Sequence, residues 1–280
     1  PFRDGLIIRV YMKILAVKLK SVIITMIVML IVVFSIFMTA HTLSDAVSGE
    51  ARMIPIYNVE TDKNEVAITF NCAVGNSDID SILATLDKYN VKTTFFLLGS
   101  WADDYIEEVQ KIYDSGHEIG NHGYSHRDLP TMNYEDILLD IQKCNETVRN
   151  ITGHSPTLLR APSGAYDNKT ISAAENLGMM TIQWDVDSID WKNISADEII
   201  TKVTKKVGNG SIIQFHTGTA HTAEALPEIF DILISQGYSF VPVGELIYKE
   251  NYIIDNTGMQ KMKLRDNHTE AKSEHFNTKL

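Results

Sequence analysis

Residues 65–98 read EVAITFNCAVGNSDIDSILATLDKYNVKTTFFLL, and the changing period of this stretch sets the fold class. Val66-Ala67-Ile68-Thr69-Phe70 is a short apolar run, the pattern of a buried strand. From Asp78 to Tyr89 the period changes, with Ile79, Ile82, Leu83 and Leu86 on one helical face. Lys92 to Leu98 (KTTFFLL) is β-branched and aromatic and predicts a second strand. The same alternation continues outward. Helices are expected over 103–113, 134–151, 171–177, 196–207 and 223–235, and strands over 180–186, 211–215 and 238–241. Gly208-Asn209-Gly210 stops one helix, and 244–248 closes the series. Alternating strands and helices imply a parallel sheet with helices packed outside it. The repeated count predicts an α/β, barrel-like fold with its working residues at the C-terminal ends of strands.

The chain has 280 residues, 44% hydrophobic and 22% charged, enough to build a core. Its two cysteines exclude a disulfide scaffold and a Cys-only zinc site. A formal charge of -11 excludes a general nucleic-acid binder. Residues 1–21 oppose this balance, with Arg3, Arg9, Lys13, Lys18 and Lys20 against Asp4 alone. Residues 22–40 (VIITMIVMLIVVFSIFMTA) carry no charge and are long enough to cross a hydrocarbon core of about 30 Å. The expectation is a cytoplasmic basic N-terminus (1–21), a single-pass anchor (22–40), a linker (41–63), an exported domain (64–248) and a polar, disordered tail (249–280). A signal peptide cleaved near Ser44-Asp45-Ala46 is the alternative to an anchor, and Met12 is an alternative start.

Four segments carry candidate chemistry. Gly116 to His126 (GHEIGNHGYSH) lies on a β/α loop. His122 and His126 are four residues apart, which on a helical turn places two imidazoles on one face, within reach of one metal ion. The spacing alone equally allows two polar loop histidines. His117 reads as structural. In Arg160-Ala161-Pro162-Ser163-Gly164, Pro162 and Gly164 favour a tight turn able to aim N–H groups at a developing oxyanion. Trp184-Asp185-Val186-Asp187-Ser188-Ile189-Asp190-Trp191 places acids and indoles at a strand end, suited to a carbohydrate cleft or to plain core aromatics. Ile212 to His216 (IIQFH) ends a hydrophobic strand in a histidine, more often structural than catalytic.

In order and placement these segments resemble the polysaccharide deacetylases with a NodB-homology domain, carbohydrate esterase family 4, over about residues 64–248. His122 and His126 match the family's His-Ser/Thr-x-x-His, with Gly123 at the Ser/Thr position. Arg160, Pro162 and Gly164 match Arg-x-Pro-x-Gly. Asp187, Asp190 and Trp191 match Asp-x-x-Asp-Trp, and Ile213, Phe215 and His216 match the final motif. The first motif departs from the pattern. Where the family has Thr-Phe-Asp-Asp-Gly, this chain has Thr69-Phe70-Asn71-Cys72-Ala73-Val74-Gly75. It looks most like a clostridial-type subgroup that reads Thr-Phe-Asp-Cys-Ala-Trp-Gly, and even there Asn71 replaces Asp and Val74 replaces Trp.

The resemblance implies a distorted (β/α) barrel and a hydrolase that removes N-acetyl groups from a cell-wall amino-sugar polymer, peptidoglycan or a chitin-like glycan. A divalent metal, zinc, would be held by His122 and His126, with Asn71 or Asp78 supplying oxygen. The Ser163 N–H would stabilise the oxyanion. His216 would be the general acid, tuned by Asp187 (Asp190 being the second choice), and Arg160 would orient residue 71. Pro162 would shape the oxyanion loop, and Phe215 and Trp191 would line the acetyl pocket. An amide at position 71 is not a base near neutral pH, so the alternative is a catalytically impaired homologue that binds glycan. A glycan partner and a membrane location follow from the resemblance and the anchor; the oligomeric state is left open.

Overall fold

The computed structural model describes residues 26–32 and 51–263. The expected membrane span falls largely outside them. Residues 26–32 are helical, and among the described residues no helix is long and apolar enough to cross a membrane. The remainder forms its own compact unit.

Its elements are β1 (Asn58–Val59), β2 (Glu65–Cys72), α1 (Ile79–Lys88), β3 (Thr94–Leu97), α2 (Gly99–Asp104), α3 (Ile106–Asp114), β4 (Glu118–Asn121) and α4 (Tyr134–Thr152). There follow β5 (Leu158–Leu159), α5 (Asn168–Asn176), β6 (Met180–Thr181), β7 (Val186–Asp187), α6 (Ala196–Thr204), β8 (Ile212–His216), α7 (Thr222–Ser235), β9 (Ser239–Phe240), α8 (Val243–Leu246), β10 (Tyr252–Ile254) and β11 (Met259–Met262). The main sheet runs β6-β5-β4-β3-β2-β8-β7, with β9 also on β2, and every pairing in it is parallel.

Among the described residues no ladder joins β6 to β7, so the expected barrel is an open, curled sheet. The gap is bridged at one end by residues 56–59: Ile56 pairs with Ile182, and Asn58 with Ser211. This corrects the expected linker, whose last residues belong to the fold. The expected tail is corrected as well. Strands β10 and β11 are antiparallel, and β11 lies parallel to β1, with Gln260 fully buried. Residues 264–280 lie outside the described residues.

Side-chain alternation along the central strands positions the site. On β2, Val66, Ile68, Phe70 and Cys72 enter the core shared with the outer helices. Ala67 joins a second core on the opposite face, where Thr69 and Asn71 meet Arg160. On β8, Ile213 and Phe215 point to the helices, leaving Gln214 and His216 on the other face. The helices have ordinary stop and start signals. Asn133 caps α4 by accepting from Asp136 N–H at 2.9 Å, Gly153 ends it at φ 80°, and a Ser195–Glu198 capping box opens α6.

Candidate active site

At the C-terminal ends of the strands lies a cavity of about 510 Å3, lined among others by Asn71, His122, His126, Ser163, Asp187, Trp191 and His216. His122 directly follows β4 and is buried. Its Nδ1 is 2.8 Å from the Arg160 carbonyl, an acceptor, so Nδ1 carries the proton and Nε2 keeps its lone pair. Burial pushes its pKa down to about 3, so the ring is neutral near pH 7. The His126 ring stands 5.5 Å away, nearly perpendicular to it. The two histidines come together as expected, but not on a helical turn. Gly123 at φ 74° and His126 at φ 54° bend a loop, which Asp140 of α4 holds by accepting from Tyr124 N–H at 2.7 Å and from the Ser125 N–H and hydroxyl. A Cβ at position 123 would meet Asp140 Oδ2 at 3.0 Å, so the close approach favours glycine there. His117 is structural, with Nδ1 accepting from Thr93 N–H at 3.3 Å.

His216 lies beside Asn71 in the β2–β8 register. Its Nδ1 is 2.7 Å from Asp190 Oδ1, and Asp190 Oδ2 accepts from the His216 N–H at 2.8 Å and from the Thr222 hydroxyl at 2.6 Å. Asp190, fully enclosed, is therefore the partner of His216. The expected partner, Asp187, lines the cavity instead and accepts from Ile189 N–H at 2.8 Å. The 187–190 turn decides this: Ile189 sits at φ 57°, a strained value for a β-branched residue, and turns Asp190 under the histidine. Ser163 also holds a left-handed backbone, φ 56°, on the cavity wall, while Pro162 is buried behind it. Trp191 is 57% exposed at the rim, as a sugar-stacking surface requires, and Val74 is 71% exposed beside it.

Two further expectations for the site are corrected. Phe215 lies in the core with Phe70, ring centroids 5.7 Å apart, because the strand period turns it away from the cavity. Asp78 does not join the histidines; its Oδ1 accepts from Gly218 N–H at 2.8 Å, and burial raises its pKa. The carbonyl oxygen of Asn71 faces Arg160 Nη1 at 3.0 Å. Cys72 is no ligand candidate either, since it points into the core and burial raises its thiol pKa. Gln214 and Asp140 carried no motif signal of their own role. Gln214 was legible only as the inward position before His216, and its Nε2 lies 3.3 Å from His216 Nε2.

Two imidazoles fit a borderline-soft divalent cation at two positions. Among the described residues no third His, Cys, Asp or Glu completes a set with them. Two amide oxygens line the same cavity: Asn71 Oδ1, engaged by Arg160, and Gln214 Oε1, which is buried without a partner among the described residues.

Comparison with known proteins agrees with this geometry. The polysaccharide deacetylase family pattern matches residues 58–182. The peptidoglycan-N-acetylglucosamine deacetylase of Bacillus cereus is 36% identical over 64% of this chain and 67% of its own length. The chain belongs to the polysaccharide deacetylase family. YlxY of Bacillus subtilis, an uncharacterized family relative, is 36% identical over 69% of this chain, which spans 60% of that protein's length. The crystal structure of wild-type BA3943 from Bacillus anthracis, a CE4 family pseudoenzyme, superposes with a TM-score of 0.67 at 35% identity, covering 69% of this chain and 68% of that one. A BA3943 mutant has restored enzymatic activity.

Proposed function

We propose that this protein is an exported, membrane-anchored deacetylase of N-acetylated cell-wall amino-sugar polymer, held to low turnover by Asn71. The observation that carries the reading is the convergence on one cavity of His122, His126, the His216–Asp190 pair and the strained Ser163 turn. Trp191 at the rim offers an indole face to a sugar ring.

Hydrolysis of an acetamide forms a bond from water oxygen to the carbonyl carbon, breaks the carbon–nitrogen bond and delivers a proton to the departing amine. A divalent cation held by His122 and His126, zinc by donor type, would polarise the carbonyl as a Lewis acid. Asp190 accepts from His216 Nδ1, which leaves Nε2 on the cavity side to act as the base. That nitrogen takes the proton of the attacking water and passes it to the amine. The Ser163 N–H would donate to the oxygen that gains charge. Asn71 can neither take a proton nor add charge, so the step lacks the separate base that a carboxylate would provide.

A second reading, glycan binding without turnover, is favoured by that same amide and by the likeness to the pseudoenzyme BA3943. The test is acetate release from chitooligosaccharide and from peptidoglycan. The proposal expects slow release that chelator and His216→Ala both abolish. Glycan binding with no acetate above the uncatalysed rate would select the second reading, and neither binding nor release would reject both.

A further inference from the structure

Asn71 is itself a primary amide on the wall of a cavity fitted to hydrolyse amides, and its oxygen faces a cation. Arg160 is fully buried and every partner of its guanidinium is neutral. Nη1 donates to Thr69 Oγ1 at 2.8 Å and to Asn71 Oδ1 at 3.0 Å, Nη2 donates to the Gln183 carbonyl at 3.1 Å, and Nε has no partner among the described residues. A guanidinium carries donors only, so Oδ1 is the amide atom that faces it and Nδ2 is turned away.

Three features make this side chain a target for water. The Arg160 donor lies where negative charge grows when water adds to the amide carbon, Cγ. A base is at hand, because Asn71 and His216 are register partners on β2 and β8 and both line the cavity, with Asp190 holding the imidazole from its Nδ1 side. The product is favoured, since a carboxylate at position 71 gives Arg160 the counter-charge that a desolvated cation needs. Gln214, the other amide side chain on the cavity wall, has a buried Oε1 without a partner, so no donor would stabilise charge there. The ordinary route by which asparagine loses its amide is obstructed. It requires the backbone nitrogen of Cys72 to attack Cγ. Asn71 and Cys72 are both paired with β3, and the Asn71 carbonyl accepts from Thr217 N–H at 3.1 Å, so the backbone is held against closing that ring.

We infer that Asn71 is a self-modification site, at which the cavity hydrolyses its own asparagine side chain to aspartate. A water oxygen bonds to Cγ and His216 Nε2 takes one water proton. The Cγ–Nδ2 bond breaks, and that proton passes to Nδ2, which leaves as ammonia. The new carboxyl gives its remaining proton to solvent and pairs with Arg160. Water is the only co-reactant. The inference rests on the hydrolytic reading of the cavity and goes beyond it: the amide that limits turnover is removed by the site it limits.

The test incubates the freshly purified full chain at neutral pH, with zinc supplied, in water enriched in heavy oxygen. Peptides spanning residue 71 are followed by mass spectrometry, with Asn71→Asp as the standard for the product. The expected result is first-order conversion of Asn71 to aspartate carrying heavy oxygen, without isoaspartate. It should run about 100-fold faster or more than in the urea-unfolded chain, and His216→Ala should slow it by a similar factor. His216→Gln, closer in size, is the second variant and should be slowed likewise, with the fold of both checked by circular dichroism. Conversion no faster than in the unfolded chain, conversion undiminished in either His216 variant, or isoaspartate at position 71 overturns the inference. Acetate release from wall glycan by Asn71→Asp is read separately. Release without conversion of Asn71 removes the inference and keeps the proposed hydrolysis, and conversion without release does the reverse.

Discussion

Asn71 and Arg160 set the energetics at the scale of single residues. Replacing a neutral partner of a buried guanidinium by a carboxylate gives it a counter-charge, so Asn71→Asp should gain stability, on the order of 2 kcal/mol by chemical denaturation. The ion pair would hold the new carboxyl below the ordinary carboxylate range of about 3.9. The gain is then fully present above that value and is lost as pH falls through the lower, folded-state value. Asp190 gives a second prediction. Asp190→Asn removes the charge behind three hydrogen bonds and should cost about 2 kcal/mol in chemical denaturation, whereas Asp187→Asn, which weakens one local bond, should cost less. The sequence placed both acids near the histidine, but the choice between them turns on the left-handed Ile189, and no spacing rule anticipates a β-branched residue there.

Among the elements, β2 and β8 were the most legible, because their apolar runs are long and period two then assigns each side chain to a face. That period places Asn71 and His216 in the cavity and withdraws Cys72 and Phe215 from it. The two-residue strands β5, β6 and β7 were not legible, being too short to show a period, and the expected strand over 180–186 is two of them. The helix expected over 103–113 breaks at Tyr105, whose φ of -129° separates α2 from α3. The loop after β4 depends on α4 through Asp140, an inward acid that reads as one more polar helix position. Asp140→Ala should release this loop, cost about 2 kcal/mol in a thermal melt and weaken zinc binding, measured calorimetrically, by about tenfold.

Over the whole molecule, the open edge of the curled sheet is covered by segments that looked like linker and tail. Their polar composition hid this, since Gln260 is buried by bonding Tyr248 through both ends of its amide and not by being apolar. Deleting residues 250–280 should therefore lower the melting temperature, a result that a disordered tail would not give. Buried histidines make the fold acid-sensitive as well. Burial lowers His122 to about 3 and His117 to about 4, both below the unfolded value. Their contribution is full above about pH 6.5 and is lost as pH falls toward those values, at about 1.4 kcal/mol per pH unit for each. Asp78 and Asp185, raised by burial, act in the opposite sense above about pH 3.9. Unfolding free energy measured in EDTA should therefore rise from pH 4.5 to pH 6.5 and flatten beyond, and His117→Gln should reduce that slope. The central claim is that this cavity is a deacetylase site limited by one amide. Acetate release from an N-acetylated wall glycan at neutral pH, with zinc supplied, tests it most directly. The account predicts slow release by wild type and release about 100-fold faster or more by Asn71→Asp; equal rates for the two proteins, or no release by either, would contradict it.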